Sequence, residues 1–392
     1  MKEGWTYKKL GDIATEMFRG SGIKRDQITI EGTPCVRYGE IYTTYNISFS
    51  ECFSHTNVEF ISSPKYFSHG DLLFAITGES VEDIGKTIAY LGHERCLLGG
   101  DIVCMKHNQN PKYLSYALSS SEAIRQKGIG KTKLKVVHTN IPALSEIRIP
   151  IPSLSEQQRI VSRLDAAFSH IEEIKANAQK QLSEARALFQ KSLAKAMKPK
   201  EGWKVKTIGD IFKTYAGGTP LKSGKNYYEG GNIPWIRSGE VCKKYITDCE
   251  MFITEEGMNN SSAKYYPVDT VLVAMYGATA AQVGILKFKA TSNQAVCGIL
   301  PHKDFVPEYV YYWFTNIQKD LAAQAQGGAQ PNLSQVKIKK VLISYPPLSE
   351  QQRIVERLDA LSTHVRDLEE NQKKIISECD ALKQALLRKV FE

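Results

Sequence analysis

The stretch Leu154-Ser-Glu-Gln-Gln-Arg-Ile-Val-Ser-Arg-Leu-Asp-Ala166 occurs a second time as Leu348-Ser-Glu-Gln-Gln-Arg-Ile-Val-Glu-Arg-Leu-Asp-Ala360. The two copies are identical at twelve of thirteen positions, at an offset of 194 residues, which excludes a chance match. A repeat period of this length indicates a duplicated domain and not a solenoid unit. A proline-rich lead-in precedes each copy and disfavours helix immediately upstream. Each copy therefore predicts the start of a long helix.

Serines at the start of each copy are candidate N-caps. Ser155 and Ser349 each have a glutamine three residues on, which fits the capping box. Ser153 with Glu156 fits the same pattern in the first copy only, so the first residue of that helix stays open.

Apolar residues recur after each copy in steps of mostly three and four. In the second copy the heptad pattern holds for more than four heptads, which is typical of a coiled coil. Each helix spans about forty residues and is roughly 60 Å long. We expect the two apolar seams to pack on each other; the alternative is two ordinary domain helices. The seam residues are Ile160, Leu164, Phe168, Ile171, Ile174, Ala178, Leu182, Ala185, Phe189, Leu193 and Ala196, and then Ile354, Leu358, Leu361, Val365, Leu368, Gln372, Ile375, Cys379, Leu382 and Leu386.

The repeat extends beyond the helices. Three further pairs of segments match, and the sequence diverges freely between them: Glu3–Ile13 with Glu201–Ile211, Pro34–Ile41 with Pro234–Val241, and Leu72–Gly78 with Val271–Gly277. The predicted order is globular domain, long helix, globular domain, long helix, with boundaries at 1–152, 153–198, 199–346 and 347–392.

The globular regions are predicted to be α+β. Short β-branched and aromatic runs, bounded by turn residues, predict strands at Leu72–Thr77, Val271–Tyr276 and Ile338–Ser344. A helix with proline near its start is predicted late in each domain, at Pro111–Gln126 and Pro307–Gln326.

Composition excludes some classes of protein. The formal net charge of +9 favours a polyanionic partner such as nucleic acid. No apolar run has the length of a membrane span, and the first residues do not form a signal peptide. The eight cysteines show no C-x-x-C pair. We therefore expect a cytoplasmic protein with reduced thiols and no membrane contact.

The search for reactive sites finds none. Gly128-Ile-Gly-Lys-Thr132 resembles the end of a phosphate-binding loop, but Arg125 stands where the first glycine is required. No metalloprotease or nucleophile-elbow motif occurs, and the eight histidines are scattered. The sequence therefore predicts no catalytic residue, no metal and no cofactor. Such a chain is more consistent with recognition than with catalysis.

The order of domains and helices resembles the DNA-specificity subunit of type I restriction–modification systems. Both helix starts carry the Leu-Ser-Glu-Gln-Gln-Arg-Ile-Val motif, and each half has Gly-Trp near its beginning followed by Gly-Asp-Ile. The resemblance covers the whole chain. It implies two target-recognition domains, each reading one half of a bipartite double-stranded DNA site. It also implies two spacer helices that pair antiparallel and hold methyltransferase subunits, expected to be two, with restriction endonuclease/translocase subunits joining the complex.

The adenine-methyltransferase motif Asn/Asp-Pro-Pro-Tyr/Phe does not occur in the chain, which fits a subunit that only reads sequence. The alternative from another class is a stand-alone coiled-coil scaffold or transcription regulator. A nuclease or methyltransferase acting alone is a third hypothesis, which the missing motifs disfavour.

Reading DNA requires basic groups for phosphates and polar or aromatic groups for base edges. The candidate DNA-binding residues are Lys24, Arg25, Arg37, Lys65, Tyr66, Thr77, Lys131, Lys133, Lys222, Lys225, Arg237, Lys264, Tyr276 and Gln330. For Arg37 and Arg237 a structural ion pair with Glu40 or Glu240 is the alternative.

The helices have a second predicted role. Their length is sufficient to hold two domains on half-sites about one DNA turn, or ~34 Å, apart. The candidates for helix pairing and partner docking are Gln157, Ile160, Leu164, Phe168, Ile171, Gln351, Ile354, Leu358, Leu361 and Val365. Because both halves have the same organisation, two copies of residues 1–198 are also expected to pair as the two halves do, with Phe168 and Phe189 as the poorest fit.

Overall fold

A computed structural model of the chain describes residues 4–130, 136–324 and 332–392. Its contacts divide the chain into two compact units. The first unit is Met1–Gln179 together with Lys373–Glu392, and the second unit is Lys180–Gln372. Each unit therefore combines one globular domain with part of both long helices.

The first globular domain consists of short strands and short helices. Its strands are β1 Thr6–Lys9, β2 Ala14–Arg19, β3 Ile28–Thr29, β4 Thr33–Val36, β5 Ser48–Phe49, β6 Ser54–Thr56, β7 Tyr66–Phe67, β8 Leu72–Ala75, β9 Thr77–Gly78, β10 Thr87–Tyr90, β11 Cys96–Leu98, β12 Ile102–His107, β13 Val137–His138 and β14 Arg148–Ile151. Its helices are α1 Leu10–Ile13, α2 Tyr38–Thr43, α3 Pro111–Ala117, α4 Ser121–Lys127 and α5 Ile141–Ser145, and the long helix α6 is Leu154–Met197.

Two five-stranded sheets form the framework of this domain, in the orders β2-β12-β8-β10-β5 and β3-β6-β4-β11-β7. The central strand β8 is buried on both faces, because its alternate residues enter two different cores. Leu72 and Phe74 pack towards α3 and α6, whereas Leu73 and Ala75 pack towards the second sheet. Strand β1 pairs antiparallel with β14, so the start of the domain lies beside the segment that leads into α6.

The second globular domain repeats this plan. Its strands are β15 Lys204–Thr207, β16 Thr214–Ala216, β17 Ile233–Ile236, β18 Tyr245–Ile246, β19 Phe252–Ile253, β20 Val271–Ala274, β21 Val283–Leu286, β22 Thr291–Ser292, β23 Val296–Ile299 and β24 Leu342–Tyr345. Its helices are α7 Ile208–Ile211, α8 Glu255–Asn259, α9 Pro307–Ala323 and α10 Gln335–Lys339, and the long helix α11 is Leu348–Phe391. The main sheet has the order β16-β23-β20-β21-β18, and β15 pairs with β24 as β1 pairs with β14.

The two long helices, of 44 residues each, pair antiparallel. Within the first unit Lys175 lies beside Asp380. Within the second unit Arg186 lies beside Glu369. As the residue number rises along α6, the number of its partner on α11 falls. The α+β fold with a paired antiparallel coiled coil, expected from the sequence, is confirmed.

The start of α6 settles the open question of its cap. The helix begins at Leu154, and the Ser153 hydroxyl accepts a hydrogen bond from the Glu156 amide at 3.3 Å. The capping boxes predicted at Ser155 and Ser349 are therefore wrong, since both serines lie inside their helices. In α11 the carbonyl of Pro347 accepts the first amide bonds instead.

Two predicted elements also differ from the structure. The strand expected at Ile338–Ser344 begins only at Leu342, because the Ser334 hydroxyl caps helix α10 and buried Ile338 anchors it. The helix expected at Pro111–Gln126 is two helices, because Ser120 caps a second start by accepting from the Ala123 amide. In both cases a local serine cap overrides the apolar pattern.

Candidate nucleic-acid interface

In the first domain, the predicted contact residue Thr77 lies beside the segment Val137–His138. Thr77, in β9, pairs with His138, in β13, and the Thr77 hydroxyl lies 3.1 Å from Nδ1 of His138. The Thr139 amide donates to the Ile76 carbonyl at 3.0 Å and closes the contact. The loop after the central strand is thus held against the segment that precedes α5.

The second domain has the same arrangement with different side chains. Tyr276 forms a backbone bridge with Asn332, and the Leu333 amide donates to the Met275 carbonyl at 2.7 Å. Gly277 has a φ of +68°, a conformation that suits glycine, and starts the turn Gly277–Thr279. The turn leaves Tyr276 38% exposed, with its phenol on the surface.

Three predicted contact residues cannot be placed. Lys131, Lys133 and Gln330 lie outside the described residues. Two segments outside the described ranges, 131–135 and 325–331, come immediately before the segments that contact Thr77 and Tyr276.

Arg37 and Arg237 form the ion pairs that were the alternative to DNA contact. Arg37 Nε donates to the buried Glu40 carboxylate at 3.1 Å, which also accepts from Ser54 at 2.6 Å. Arg237 pairs with Glu240 at 3.5 Å and also contacts Glu250. These contacts fix the turn after β4 and the turn after β17.

Two clefts in the first domain flank helix α2. One, of about 820 Å³, is lined by Tyr38, Tyr42 and Thr77. The other, of about 710 Å³, is lined by Arg25, Arg37 and the exposed ring of Phe53. The sequence did not indicate the aromatic residues of these clefts as DNA-binding candidates, although Tyr38 directly follows the candidate Arg37.

Two half-buried polar residues support the first of these clefts. The Tyr42 hydroxyl donates to the Thr77 carbonyl at 3.1 Å. Lys86 also lines this cleft and donates to the Tyr45 carbonyl at 3.0 Å. Burial lowers the pKa of the Lys86 amine and raises the pKa of the Tyr42 phenol. The Tyr42 hydroxyl therefore helps to hold the backbone of the Thr77 loop in place.

A basic residue stacks on an equivalent tyrosine in each domain. The guanidinium of Arg95 lies 4.1 Å from the ring centre of Tyr66, and the Lys289 ammonium lies 4.1 Å from that of Tyr265. Exposed Lys65 or Lys264 precedes each tyrosine. The stacking cations are distant in sequence from the predicted segments, so the sequence did not indicate them.

The remaining predicted basic residues lie on exposed loops. Lys24 precedes the short 3₁₀ turn Arg25–Gln27, and its amide donates to the Gln27 side chain at 2.8 Å. Lys225 opens the turn Lys225–Tyr227, with Lys222 just before it. These side chains are exposed, and the described contacts do not join them into one patch.

The predicted helix-pairing residues divide into two groups. Of those at apolar positions, Ile160, Leu164 and Phe168 share a core with Leu387 and Phe391 of α11. Ile354 and Leu358 share a core with Leu193 and Met197 of α6. Ile171 is buried, and Leu361 and Val365 are half-buried.

Gln157 and Gln351 lie elsewhere than predicted. Both side chains are 0% exposed and are bonded to their own domains. Gln157 accepts from the Asn110 amide at 3.0 Å and donates to the Pro152 carbonyl at 2.9 Å. Gln351 accepts from the Val306 amide at 3.1 Å and donates to the Pro346 carbonyl at 3.0 Å. They fasten each long helix to the domain before it and do not lie between the helices.

The described residues contain neither a group of three His, Cys, Asp or Glu side chains suited to a metal ion nor a helix long and apolar enough to cross a bilayer.

A family model, the type I restriction modification DNA specificity domain, matches residues 2–184 and again residues 200–378. The chain belongs to this family. The resemblance inferred from the repeated helix starts is confirmed.

Individual members of the specificity family show the same relationship. The EcoR124I/EcoR124II specificity subunit of Escherichia coli is 31% identical over 241 residues, which cover 58% of this chain and 58% of that subunit. The putative MjaX specificity subunit of Methanocaldococcus jannaschii is 24% identical over 92% of this chain and 87% of its own length.

Solved structures agree in fold. A chain from a study of complex assembly and conformational transition in the type I R-M system has a TM-score of 0.81 at 19% identity, covering 99% of this chain and 98% of that one. The HsdS subunit of Thermoanaerobacter tengcongensis has a TM-score of 0.58 at 18% identity, covering 100% of this chain and 97% of its own.

Proposed function

We propose that this chain is the sequence-reading subunit of a type I restriction–modification complex, in which each globular domain reads one half of a bipartite DNA target. One observation carries the proposal: both domains hold equivalent loops side by side on the same framework, but with different side chains. Thr77 faces His138 in the first domain, and Tyr276 faces Asn332 in the second. Two frameworks of one design with different loops suit two half-sites of different sequence.

The proposed division of labour follows the sequence boundaries. Residues 1–152 and 199–346 form the two reading domains, and residues 153–198 and 347–392 form the spacer. The spacer helices set the distance between half-sites and dock two methyltransferase subunits, while restriction endonuclease subunits complete the assembly. We place this complex in the cytoplasm.

Within the reading domains we propose that basic side chains hold the phosphates. The candidates are Lys24, Arg25, Lys65, Lys131, Lys133, Lys222, Lys225 and Lys264, joined by the stacked Arg95 and Lys289. Thr77, Tyr276 and Gln330 are proposed to face base edges, with Tyr38 beside Thr77. Arg37 and Arg237 act chiefly by holding their turns, because their guanidinium groups are engaged by carboxylates.

The chain purified alone is expected neither to methylate nor to cleave DNA, even with methyl donor, ATP and magnesium, because its sequence lacks the adenine-methyltransferase motif and the other catalytic motifs named above. Addition of the methyltransferase encoded beside it is expected to give methylation at one bipartite sequence. The measurement is sequencing of methylated positions in plasmid DNA. Methyl transfer by the isolated chain after removal of contaminants, or a stable DNA-binding dimer that ignores the methyltransferase, would overturn the proposal.

Tyr276→Ala is expected to relax one half of the target and leave the other half unchanged. A lost base contact costs about 1–3 kcal/mol, and Tyr276 lies in the second domain. Thr77→Ala is the matched variant, which should relax the opposite half. Methylation patterns of the two reconstituted complexes provide the comparison, with thermal unfolding as the check on folding. Equal effects of either variant on both half-sites would refute the division of reading between domains.

A further inference from the structure

Two ion pairs between the long helices have the same polarity. In the first unit Lys175 Nζ lies 2.8 Å from Asp380 Oδ1. In the second unit Arg186 Nε lies 2.6 Å from Glu369 Oε1. In both pairs the cation belongs to α6 and the anion to α11.

The 194-residue repeat relates these pairs to each other. Lys175 occupies the position that Glu369 has in the other helix, and Arg186 occupies the position of Asp380. Helix α6 is therefore basic and helix α11 acidic at the same two repeat positions. These are the positions that face each other in the antiparallel arrangement.

Pairing two identical helices in this register would bring like charges together. Two copies of α6 would place Lys175 opposite Arg186, and two copies of α11 would place Glu369 opposite Asp380. Opposite charges at such positions attract, and like charges destabilise by similar amounts. Each of these attractive contacts between α6 and α11 would therefore be replaced by a repulsive one if two identical helices paired.

A third ion pair adds to the difference for α11. Lys383 contacts Glu172 in the first unit. The repeat equivalent of Glu172 is Arg366. Two copies of α11 would therefore also place Arg366 opposite Lys383, a second repulsive contact.

Uncharged positions favour the same pairing. Gln372, only 5% exposed, donates to the Gln181 side chain at 2.9 Å. The repeat equivalents of these residues are Ala178 and Ile375. Two copies of α11 would place Gln372 against Ile375, leaving a buried amide without its partner, which is unfavourable.

Phe168 is the corresponding obstacle for α6. Its ring packs in the core that contains Leu387, with the Lys383 ammonium 5.6 Å from the ring centre. The repeat equivalent of Lys383 is Phe189. Two copies of α6 would bring Phe168 and Phe189 into the same space, and overpacking of this kind is destabilising.

We propose that this pattern makes α6 and α11 pair with each other and disfavours the pairing of either helix with a second copy of itself. Each exposed ion pair shifts such an equilibrium about twofold, and a like-charge contact shifts it about as far the other way. Two chains would exchange four attractive contacts for four repulsive ones, so unlike pairing is favoured on the order of a hundredfold. Two copies of residues 1–198 are therefore poor partners for each other, contrary to the expectation from the repeat alone.

The test uses the full chain and requires neither DNA nor a partner protein. The double variant Lys175→Glu with Glu369→Lys retains the net charge but makes like helices complementary and unlike helices repulsive. The matched control, Lys175→Glu with Asp380→Lys, also retains the net charge but keeps the unlike pairs attractive. The molar mass of each protein is measured by light scattering over a range of concentrations, together with the midpoint of thermal unfolding.

The first double variant is expected to form more dimer than the wild type as concentration rises and to unfold at a lower temperature. The control is expected to unfold at the wild-type temperature, because its unlike pairs stay attractive, and to form less dimer than the first double variant. A quadruple variant that adds Arg186→Glu and Asp380→Lys to the first double variant restores attraction between unlike helices and should regain wild-type behaviour. An unchanged first variant, a control that loses as much as that variant, or a quadruple variant that fails to recover would each overturn the proposal.

Discussion

Phe391→Ala is expected to reduce the free energy of unfolding of the first unit by about 3–5 kcal/mol. Phe391 is the last residue of α11 and is only 4% exposed. Its ring packs edge-on against Tyr113, at 5.5 Å between ring centres, inside the core of the first domain. Tyr113 is itself fixed by a 2.8 Å hydrogen bond to the Pro150 carbonyl. Truncation therefore leaves a cavity in a well-packed site that cannot readily close.

The matched variant is Met197→Ala, at the repeat-equivalent end of α6. Met197 is buried in the core of the second unit, so its truncation should weaken that unit, by about 2–5 kcal/mol. Hydrogen exchange resolved by peptide separates the two effects. Faster exchange should appear in the first unit for Phe391→Ala and in the second for Met197→Ala. Uniform loss of protection in both variants would contradict the assignment of each helix end to its own unit.

Lys127→Met is expected to remove a pH dependence from the stability of the chain. The Lys127 side chain, 7% exposed, donates to the Leu118 carbonyl at 2.8 Å and to the Thr87 hydroxyl at 3.2 Å. Both described hydrogen-bond partners are neutral oxygens. Burial therefore disfavours the charged amine and lowers the pKa of Lys127 to about 7.

The direction of the effect follows from proton binding. Between the folded pKa of about 7 and the unfolded value near 10.5, the unfolded chain carries the proton and the folded chain does not. Stability therefore rises with pH in this window, by up to about 1.4 kcal/mol per pH unit from this one group. Above the unfolded pKa the contribution is fully present, and it is lost as pH falls towards 7.

Urea denaturation at pH 7.5, 8.25 and 9.0 tests this expectation. The difference in unfolding free energy between wild type and Lys127→Met should change by about 2 kcal/mol over the series, in favour of the wild type at higher pH. Taking the difference cancels the other titrating groups. Lys195→Met, the same substitution at an exposed position of α6, is measured alongside for comparison. A flat difference for Lys127→Met would show that its amine is protonated in the folded chain.

The features predictable from sequence were those that repeat or have a strong period. The thirteen-residue helix start, met twice, and the seams that follow it indicated the two long helices and their pairing. A heptad pattern is a local signal that many residues share. The strand ending at Ala75 and its counterpart ending at Ala274 were also found, because each is a short apolar run bounded by turn residues.

The features that sequence reasoning missed depend on partners far along the chain. Gln157 was assigned to the helix interface, but its hydrogen bonds go to its own domain, and no periodicity distinguishes the two roles. Lys127 was overlooked beside a glycine-rich loop, because a lysine is expected in solvent unless the fold encloses it. Arg95 was not selected because the ring on which it stacks lies 29 residues earlier in the chain.

The location of Leu387 and Phe391 has a consequence for the order in which the molecule is completed during synthesis. The second unit is one continuous stretch, whereas the first unit begins the chain but also requires residues 373–392. Domains usually fold in the order in which they are translated. Here residues 1–179 are translated first, but part of their apolar core stays uncovered until Leu387 and Phe391 have been added. A chain that stopped before residue 373 would contain all of the second unit and would lack a segment that the first unit needs.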